Sequence, residues 1–214
     1  MLIAICGIDG AGKTTQINML ATYMKQKAHK RIHITKQPTE FYRKYDRFRQ
    51  YVNKEITDCQ KELLYELALL SATDKMRHYQ IEIMPNIDDI IICDRYVFSA
   101  FSYFMARGID DIEWLKSINK FLPTPDVTIY LDITPQSAYE RILKRDGGYT
   151  KKEETDIMLL SCVRNNFVSQ PWGIEPNYHI LKTESLSELE VHTQIVSIID
   201  KYMWGIYNYD YNNW

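Results

Sequence analysis

The chain has 214 residues, with 26 Lys and Arg set against 28 Asp and Glu, for a formal net charge of -2. That length suits one domain, residues 1-214, with a full core. The near-neutral charge excludes attachment to a nucleic acid polymer through a general positive field, so an anionic ligand needs a local cluster of basic groups. Hydrophobic residues make up 45% and charged residues 25%, the balance of an ordinary globular chain.

In chain order, short apolar runs alternate with longer helical patterns. The expected strands are Leu2–Cys6, Ile32–Thr35, Ile90–Cys93, Val127–Leu131 and Tyr178–Leu181. Most are continuously apolar, as parallel strands covered on both faces should be. The expected helices are Lys13–Gln26, a long segment Lys54–Met84 that is broken at most once, Val97–Arg107, Ile112–Phe121, Pro135–Lys144, Glu153–Ser169 and Leu186–Tyr202. Thr134 before Pro135 makes a cap and first-turn pair. Thr150 with Glu153, and Ser185 with Glu188, fit the capping-box spacing. Leu63, Leu64, Leu67 and Leu70 form a helical core stripe. Alternating strands and helices predict an α/β fold: a three-layer α/β/α sandwich with a five-stranded parallel sheet.

The four cysteines, Cys6, Cys59, Cys93 and Cys162, lie far apart without CxxC spacing. They read as reduced core thiols of a cytoplasmic protein rather than as zinc ligands or disulfides. The opening "MLIAICGIDG" has no basic leader and is too short for a signal peptide or a membrane span, and no membrane association is expected.

In open parallel sheets, ligands bind beyond the carboxyl ends of the strands. After the first strand comes "GIDGAGKTT", residues 7–15. Gly7, Gly12, Lys13 and Thr14 satisfy G-x-x-x-x-G-K-[ST] between a strand and a helix, the context a phosphate-binding loop requires. Its backbone N–H groups, with Gly10, Ala11, Gly12 and Thr15 in the cradle, converge on phosphate oxygens, and the helix adds its positive end. Lys13 would reach the β and γ phosphates of ATP, and the Thr14 hydroxyl would hold Mg²⁺. After the third strand, Asp94 stands where a carboxylate serves Mg²⁺, and Arg95 can clamp a phosphate with its planar fork. After the second strand, Lys36, Gln37 and Pro38 lie at the crevice edge. The loop "RILKRDGGYTKKEE" places Arg141, Lys144, Arg145, Lys151 and Lys152 around Gly147 and Gly148 and reads as a lid, about residues 145–153. His78 and Asp74, one helical turn apart, read as a partly exposed pair on a helix face. "MWGIYNYDYNNW" forms an aromatic tail, about residues 203–214.

Together "GIDGAGKTTQ", "TKQP", "LLSATDKMRH", "CDRYVFSAFSY", "PDVTIYLDITPQSAYERI" and the R-x-x-[YF] of Arg164 to Phe167 resemble the thymidylate kinase family over nearly the whole chain. The resemblance implies ATP-dependent phosphoryl transfer to a deoxynucleoside monophosphate, dTMP first among them, by a protein that is usually a homodimer. By position, Asp9 is similar to the residue that contacts the acceptor's sugar, Arg95 to the acceptor-phosphate clamp and Asp94 to the catalytic carboxylate linked to Mg²⁺. Tyr103 matches the ring that crowds the 2′ position, Ser99 falls on the base-facing side of its helix, and Lys182 and Thr183 match the adenine-side loop. Gly10 replaces an arginine found in some members, so the resemblance assigns the catalytic cation to the lid, to Arg145 and Lys151.

Ser71 stands where the family commonly has a stacking Phe, Lys75 where it has a base-reading Arg, and Phe104 where it has a Gln. Lys36 and Lys151 also replace arginines, which keeps charge and loses the bidentate fork. Phe104 or a tyrosine of "EFYRKY" is the expected substitute for stacking. These departures leave two alternatives: a kinase on the same scaffold with another nucleotide or nucleoside acceptor, and a nucleotide-binding regulatory protein with little transfer.

Overall fold

The central strands are apolar on both faces because both faces are covered. The computed structural model describes residues 1–53, 55–56, 61–145, 156–173 and 175–210, the side chains of this last stretch as far as Met203. Within these residues the strands are β1 (Leu2–Cys6), β2 (Ile32–Lys36), β3 (Ile90–Asp94), β4 (Val127–Asp132) and β5 (Tyr178–Lys182). They form a five-stranded parallel sheet in the order β2-β3-β1-β4-β5. Every residue of β1, β3 and β4 is buried, while the edge strands β2 and β5 are partly exposed. Four of the five strands run one residue past the apolar run, so Lys36, Asp94, Asp132 and Lys182 end in the ladder.

The helices are α1 (Lys13–Lys27), α2 (Glu40–Arg43), α3 (Asp46–Val52), α4 (Lys61–His78), α5 (Val97–Ala106), α6 (Ile112–Asn119), α7 (Pro135–Arg145), α8 (Ile157–Ser169) and α9 (Glu188–Asp210). α1 and α9 pack together on the sheet, and α4, α5, α6 and α8 form a second layer. The expected long segment Lys54–Met84 is helical only from Lys61 among the described residues, with Glu55 and Ile56 outside any helix, and it is not cut after His78. It widens into a π-helical turn at Tyr79–Ile83 and closes with a 3₁₀ turn at Met84–Asn86, where Pro85 ends it.

The caps decide where helices begin. Thr134 accepts from the Ser137 N–H at 3.3 Å, as expected. α9 begins two residues later than the Ser185/Glu188 box implies. Ser187 accepts from the Glu190 N–H at 3.3 Å, and Glu190 accepts from the Ser187 N–H at 2.8 Å. Both boxes fit the spacing. Leu186 lies before the helix, so the helix starts at the later serine. Asp156 caps α8 through the Leu159 N–H at 3.0 Å. Thr150 and Glu153, the start proposed for that helix, lie outside the described residues, as do Cys59 and most of the lid.

Phe167 of α8 stacks on Tyr130 of β4, with ring centroids 4.4 Å apart. Arg164, one turn earlier, grips Asp132 with both arms of its fork, at 2.7 and 3.0 Å. The R-x-x-F spacing therefore pins α8 to the end of β4. Of the leucine stripe, Leu63, Leu64 and Leu67 are buried and Leu70 is half-buried. Cys6 and Cys93 are buried free thiols, whereas Cys162 is exposed and not a core residue. No helix among the described residues is long and apolar enough to cross a membrane.

Candidate active site at the carboxyl ends of the strands

Because β1 lies between β3 and β4, the loop after it opens at the middle of the sheet. A cavity of about 1100 Å³ spreads from that loop across the ends of β2 and β3. Asp9, Gly10, Ala11, Gly12, Lys13, Thr14 and Thr15 line it at the loop. Gly10 and Gly12 have φ of 83° and 87°, the left-handed region that L side chains rarely adopt. A Cβ at Gly10 would stand 2.4 Å from the Ala138 carbonyl oxygen of α7, so the close approach of loop to helix also requires glycine there.

Lys13 is nearly buried. Its Nζ donates to the Ile8 carbonyl at 2.9 Å and lies 3.6 Å from Asp9. Burial and the neighbouring Arg95 charge push its pKa down to about 8, against the pull of Asp9 and Asp94. The burial of Asp9 favours its neutral form, but the charges of Arg95 and Lys13 outweigh that and hold its carboxyl well below the usual range.

Arg95 has a positive φ of 68°, a strained position for a residue with a side chain. Its surroundings over-determine it. The backbone N–H donates to Ile5 at 2.9 Å, Nη1 to the Gly7 carbonyl at 2.8 Å and Nη2 to Asp9 at 2.6 Å. The guanidinium also lies over the Tyr103 ring, 5.3 Å from its centroid. Beside it, Asp94 meets Lys36 at 3.2 Å through Oδ2. Its Oδ1 is buried with no hydrogen-bond partner among the described residues.

Gln37, Pro38, Ser71, Lys75, Ser99 and Tyr103, all named from the sequence, line the same cavity. The Gln37–Pro38 peptide is cis. Lys75 is buried and donates to the Ser71 carbonyl at 3.2 Å and to the Ser71 hydroxyl at 2.5 Å. Burial lowers its pKa to about 8, with Asp74 opposing. Phe104 and Tyr42 also line the cavity. The Arg107 guanidinium lies over Tyr51, Tyr103 and Phe104, at 5.5, 5.4 and 5.8 Å.

Arg145 and Thr183 also line the cavity. Lys182 does not. It ends edge strand β5 with its side chain exposed, while Thr183 turns inward and donates to the Asp132 carbonyl at 3.1 Å. Lys151 lies outside the described residues. Two further corrections concern α4. Asp74 and His78 are not a partly exposed pair but are 0% and 2% exposed. Asp74 accepts from the Thr39 N–H at 2.9 Å and from the Thr39 hydroxyl. α2 and α3 were missed, and with them Arg43, Phe48 and Val52 on the cavity wall. The available signal was Thr39 followed by Glu40, a cap and an acidic first turn; the side chain of Thr39 accepts from the Phe41 N–H.

A phosphate loop on the central strand, a carboxylate and a guanidinium on the next strand, and one cavity spanning them define a nucleotide kinase of the phosphate-loop class. A family model described as thymidylate kinase matches residues 5–210. The chain belongs to the thymidylate kinase family and is a nucleoside-monophosphate kinase. It is 32% identical over 206 residues to a probable thymidylate kinase of Pyrococcus horikoshii, covering 95% of this chain and 98% of that protein. A probable thymidylate kinase of Thermococcus onnurineus is 34% identical over 212 residues, covering 94% of this chain and 97% of that one. The crystal structure of thymidylate kinase from Ehrlichia chaffeensis superposes with a TM-score of 0.64 at 22% identity, over 94% of this chain and 98% of that one, and shares the fold.

Proposed function

We propose that this chain transfers the γ-phosphoryl group of ATP to dTMP, giving ADP and dTDP. The observation that carries the reading is that one cavity is lined both by the phosphate loop and by Arg95, Ser71, Lys75, Ser99 and Tyr103. ATP lies on residues 7–15, with Lys13 turning from the Ile8 carbonyl to the β and γ phosphates. The dTMP phosphate lies against Arg95, whose geometry Asp9 and Gly7 already hold. A dTMP phosphate oxygen attacks the γ phosphorus, and the bond to the bridging oxygen of ADP breaks. The chain contributes alignment and positive charge rather than covalent chemistry.

The residues fit a magnesium ion. Asp94 Oδ1 is a buried acceptor in need of a partner, and the Thr14 hydroxyl faces the same cavity. Bound there, Mg²⁺ would neutralise charge on the β and γ phosphates. Tyr103, with its hydroxyl buried and no hydrogen-bond partner among the described residues, crowds the sugar and favours deoxyribose. Arg145, with Lys151, supplies further cationic charge over the transferring group.

A homodimer and a cytoplasmic, one-domain chain complete the proposal. The exposed apolar side chains of Leu69 on α4 and Phe121 after α6 support self-association. A second reading, transfer to an acceptor other than dTMP, is favoured by the closed Ser71–Lys75 pair. Coupled ADP release with ATP·Mg²⁺ against dTMP, dUMP, dCMP, dGMP, dAMP, UMP and thymidine tests both. Best turnover with dTMP, lost in Arg95→Ala, is expected. Turnover only with another acceptor would replace dTMP, and silence across the panel would overturn the transfer.

A further inference from the structure

His78 is a buried titratable group that the transfer does not use, yet it touches a wall residue of the site. Its Nδ1 lies 2.9 Å from Nε2 of Gln37. Its Nε2 meets the Thr35 hydroxyl and lies 3.3 Å from Glu82. Thr35 in turn donates to Glu82 Oε2 at 2.6 Å. These contacts leave one consistent proton order. The Glu82 carboxylate only accepts, so Thr35 spends its single proton there. Thr35 must then accept from His78, which puts the ring proton on Nε2 and the lone pair on Nδ1. Gln37 has to present its NH₂ to that lone pair. Its Oε1 is consequently turned the other way, and it is buried with no hydrogen-bond partner among the described residues, on a residue 1% exposed that lines the cavity.

We propose that His78 is a positioning residue: with Thr35 and Glu82 fixing its tautomer, it holds Gln37 so that the amide oxygen, and not the NH₂ group, faces the acceptor nucleotide and takes a hydrogen bond from one of its O–H or N–H donors. This rests on the acceptor reading given above. dTMP offers two such donors, the sugar 3′-hydroxyl and the base N3–H. An acceptor oxygen held without reorganisation selects for them, because an amide free to turn would present either end.

Protonation of His78 would reverse the arrangement. An imidazolium donates from both nitrogens, so Gln37 would turn its oxygen to the ring and offer NH₂ to the nucleotide. Burial lowers the His78 pKa from 6.5, with Glu82 and Asp74 opposing and Lys75 assisting, so the ring is neutral at pH 7. The neutral side chains of Thr35 on β2 and of Gln37 just after it face the ring, and Lys36 between them in sequence pairs with Asp94.

The test compares wild type with His78→Leu, His78→Asn, Gln37→Ala and the His78→Leu/Gln37→Ala double variant. It reads KM for dTMP and for ATP, with calorimetric dTMP binding alongside. His78→Leu and Gln37→Ala should each raise the dTMP KM about tenfold, the effect of one hydrogen bond, and leave the ATP KM unchanged. The double variant should be no worse than either single one. His78→Asn, whose Oδ1 can accept where Nδ1 did, should restore dTMP binding. The wild-type dTMP KM should rise more steeply as pH falls below 6.5 than that of His78→Asn, which keeps only the rise that protonation of the dTMP phosphate gives both proteins. Additive effects, or the same pH profile in both proteins, overturn the proposal. If His78→Leu does not fold, the His78→Asn pair of pH profiles decides. With 3′-deoxy dTMP and N3-methyl dTMP, the analogue whose affinity no longer depends on Gln37 identifies the donor; full dependence with both overturns the idea. A wild type that binds dTMP without phosphorylating it refutes the catalytic reading alone, and the variants are then compared by binding. A wild type that binds no dTMP overturns both.

Discussion

Gly10→Ala and Gly12→Ala form a matched pair that separates two jobs of one loop. Both positions sit in the left-handed region, at φ of 83° and 87°, so either alanine costs about 1–2 kcal/mol in backbone strain alone. The surroundings differ. A Cβ at Gly10 would fall 2.4 Å from the backbone oxygen of Ala138 and 2.9 Å from its carbonyl carbon, and a helix backbone cannot step aside like a flexible side chain. A Cβ at Gly12 meets nothing within 4 Å, and Gly12 lines the cavity. Gly12→Ala should therefore lose roughly 1–2 kcal/mol of folding stability, a Tm drop of about 2–8 °C at this chain length. It should also lose most ATP affinity, since its methyl group stands where phosphate oxygens approach the loop. Gly10→Ala should lose roughly 2–5 kcal/mol, because overpacking adds about 1–3 kcal/mol to the same strain. Urea unfolding and ATP calorimetry on both variants read the two quantities. Equal unfolding losses, or a Gly12→Ala protein that binds ATP normally, would refute the reasoning.

Arg164→Ala breaks the forked bond to buried Asp132 and should cost roughly 1.5–3 kcal/mol in urea unfolding, a discounted figure because Arg164 is about a third exposed. Ser187→Ala removes the α9 cap and should cost about 1 kcal/mol, while Ser185→Ala should cost nothing measurable in the same titration. Lys75 titrates near pH 8 when folded and near 10.5 when unfolded, so between those values the unfolded chain holds more protons and stability rises with pH. Lys75→Met should remove its own share of that rise, roughly 1–3 kcal/mol between pH 8 and 10, and leave the share of Lys13, which titrates in the same window, as read by denaturation of both proteins.

What sequence reasoning reached, and what it missed, divides by the range of the forces involved. The sheet was legible because β1, β3 and β4 are covered on both faces, and such strands must be apolar throughout. The phosphate loop was legible because its glycines answer a local backbone demand. α2 and α3 were not, since α3 buries none of its residues and α2 only Tyr42, leaving no apolar period to read. The burial of Asp74 and His78 was missed for a related reason. Apart from Glu82, one turn on from His78, their partners are Thr39, Thr35 and Gln37, more than thirty residues away, and a polar residue's spacing on its own helix says nothing about a polar strand end arriving from elsewhere. The Ser187 cap failed by two residues because tandem serines each precede a glutamate at the right distance.

The strand order gives the two substrates unequal footings. The donor loop hangs from the innermost strand, which can open only with the whole sheet, so its amides should be among the last to exchange with deuterium. The wall opposite the loop is mixed: Ser71, Lys75, Ser99 and Tyr103 stand on the packed helices α4 and α5, while its outer part comes from the end of an edge strand and two short helices, where local opening costs far less than global unfolding. Substitutions at Arg43, Phe48 and Val52 can then change which nucleotide is accepted while the grip on ATP stays as it is. Retargeting this kinase is a problem of its rim, with the machinery for handling triphosphate left intact at the centre.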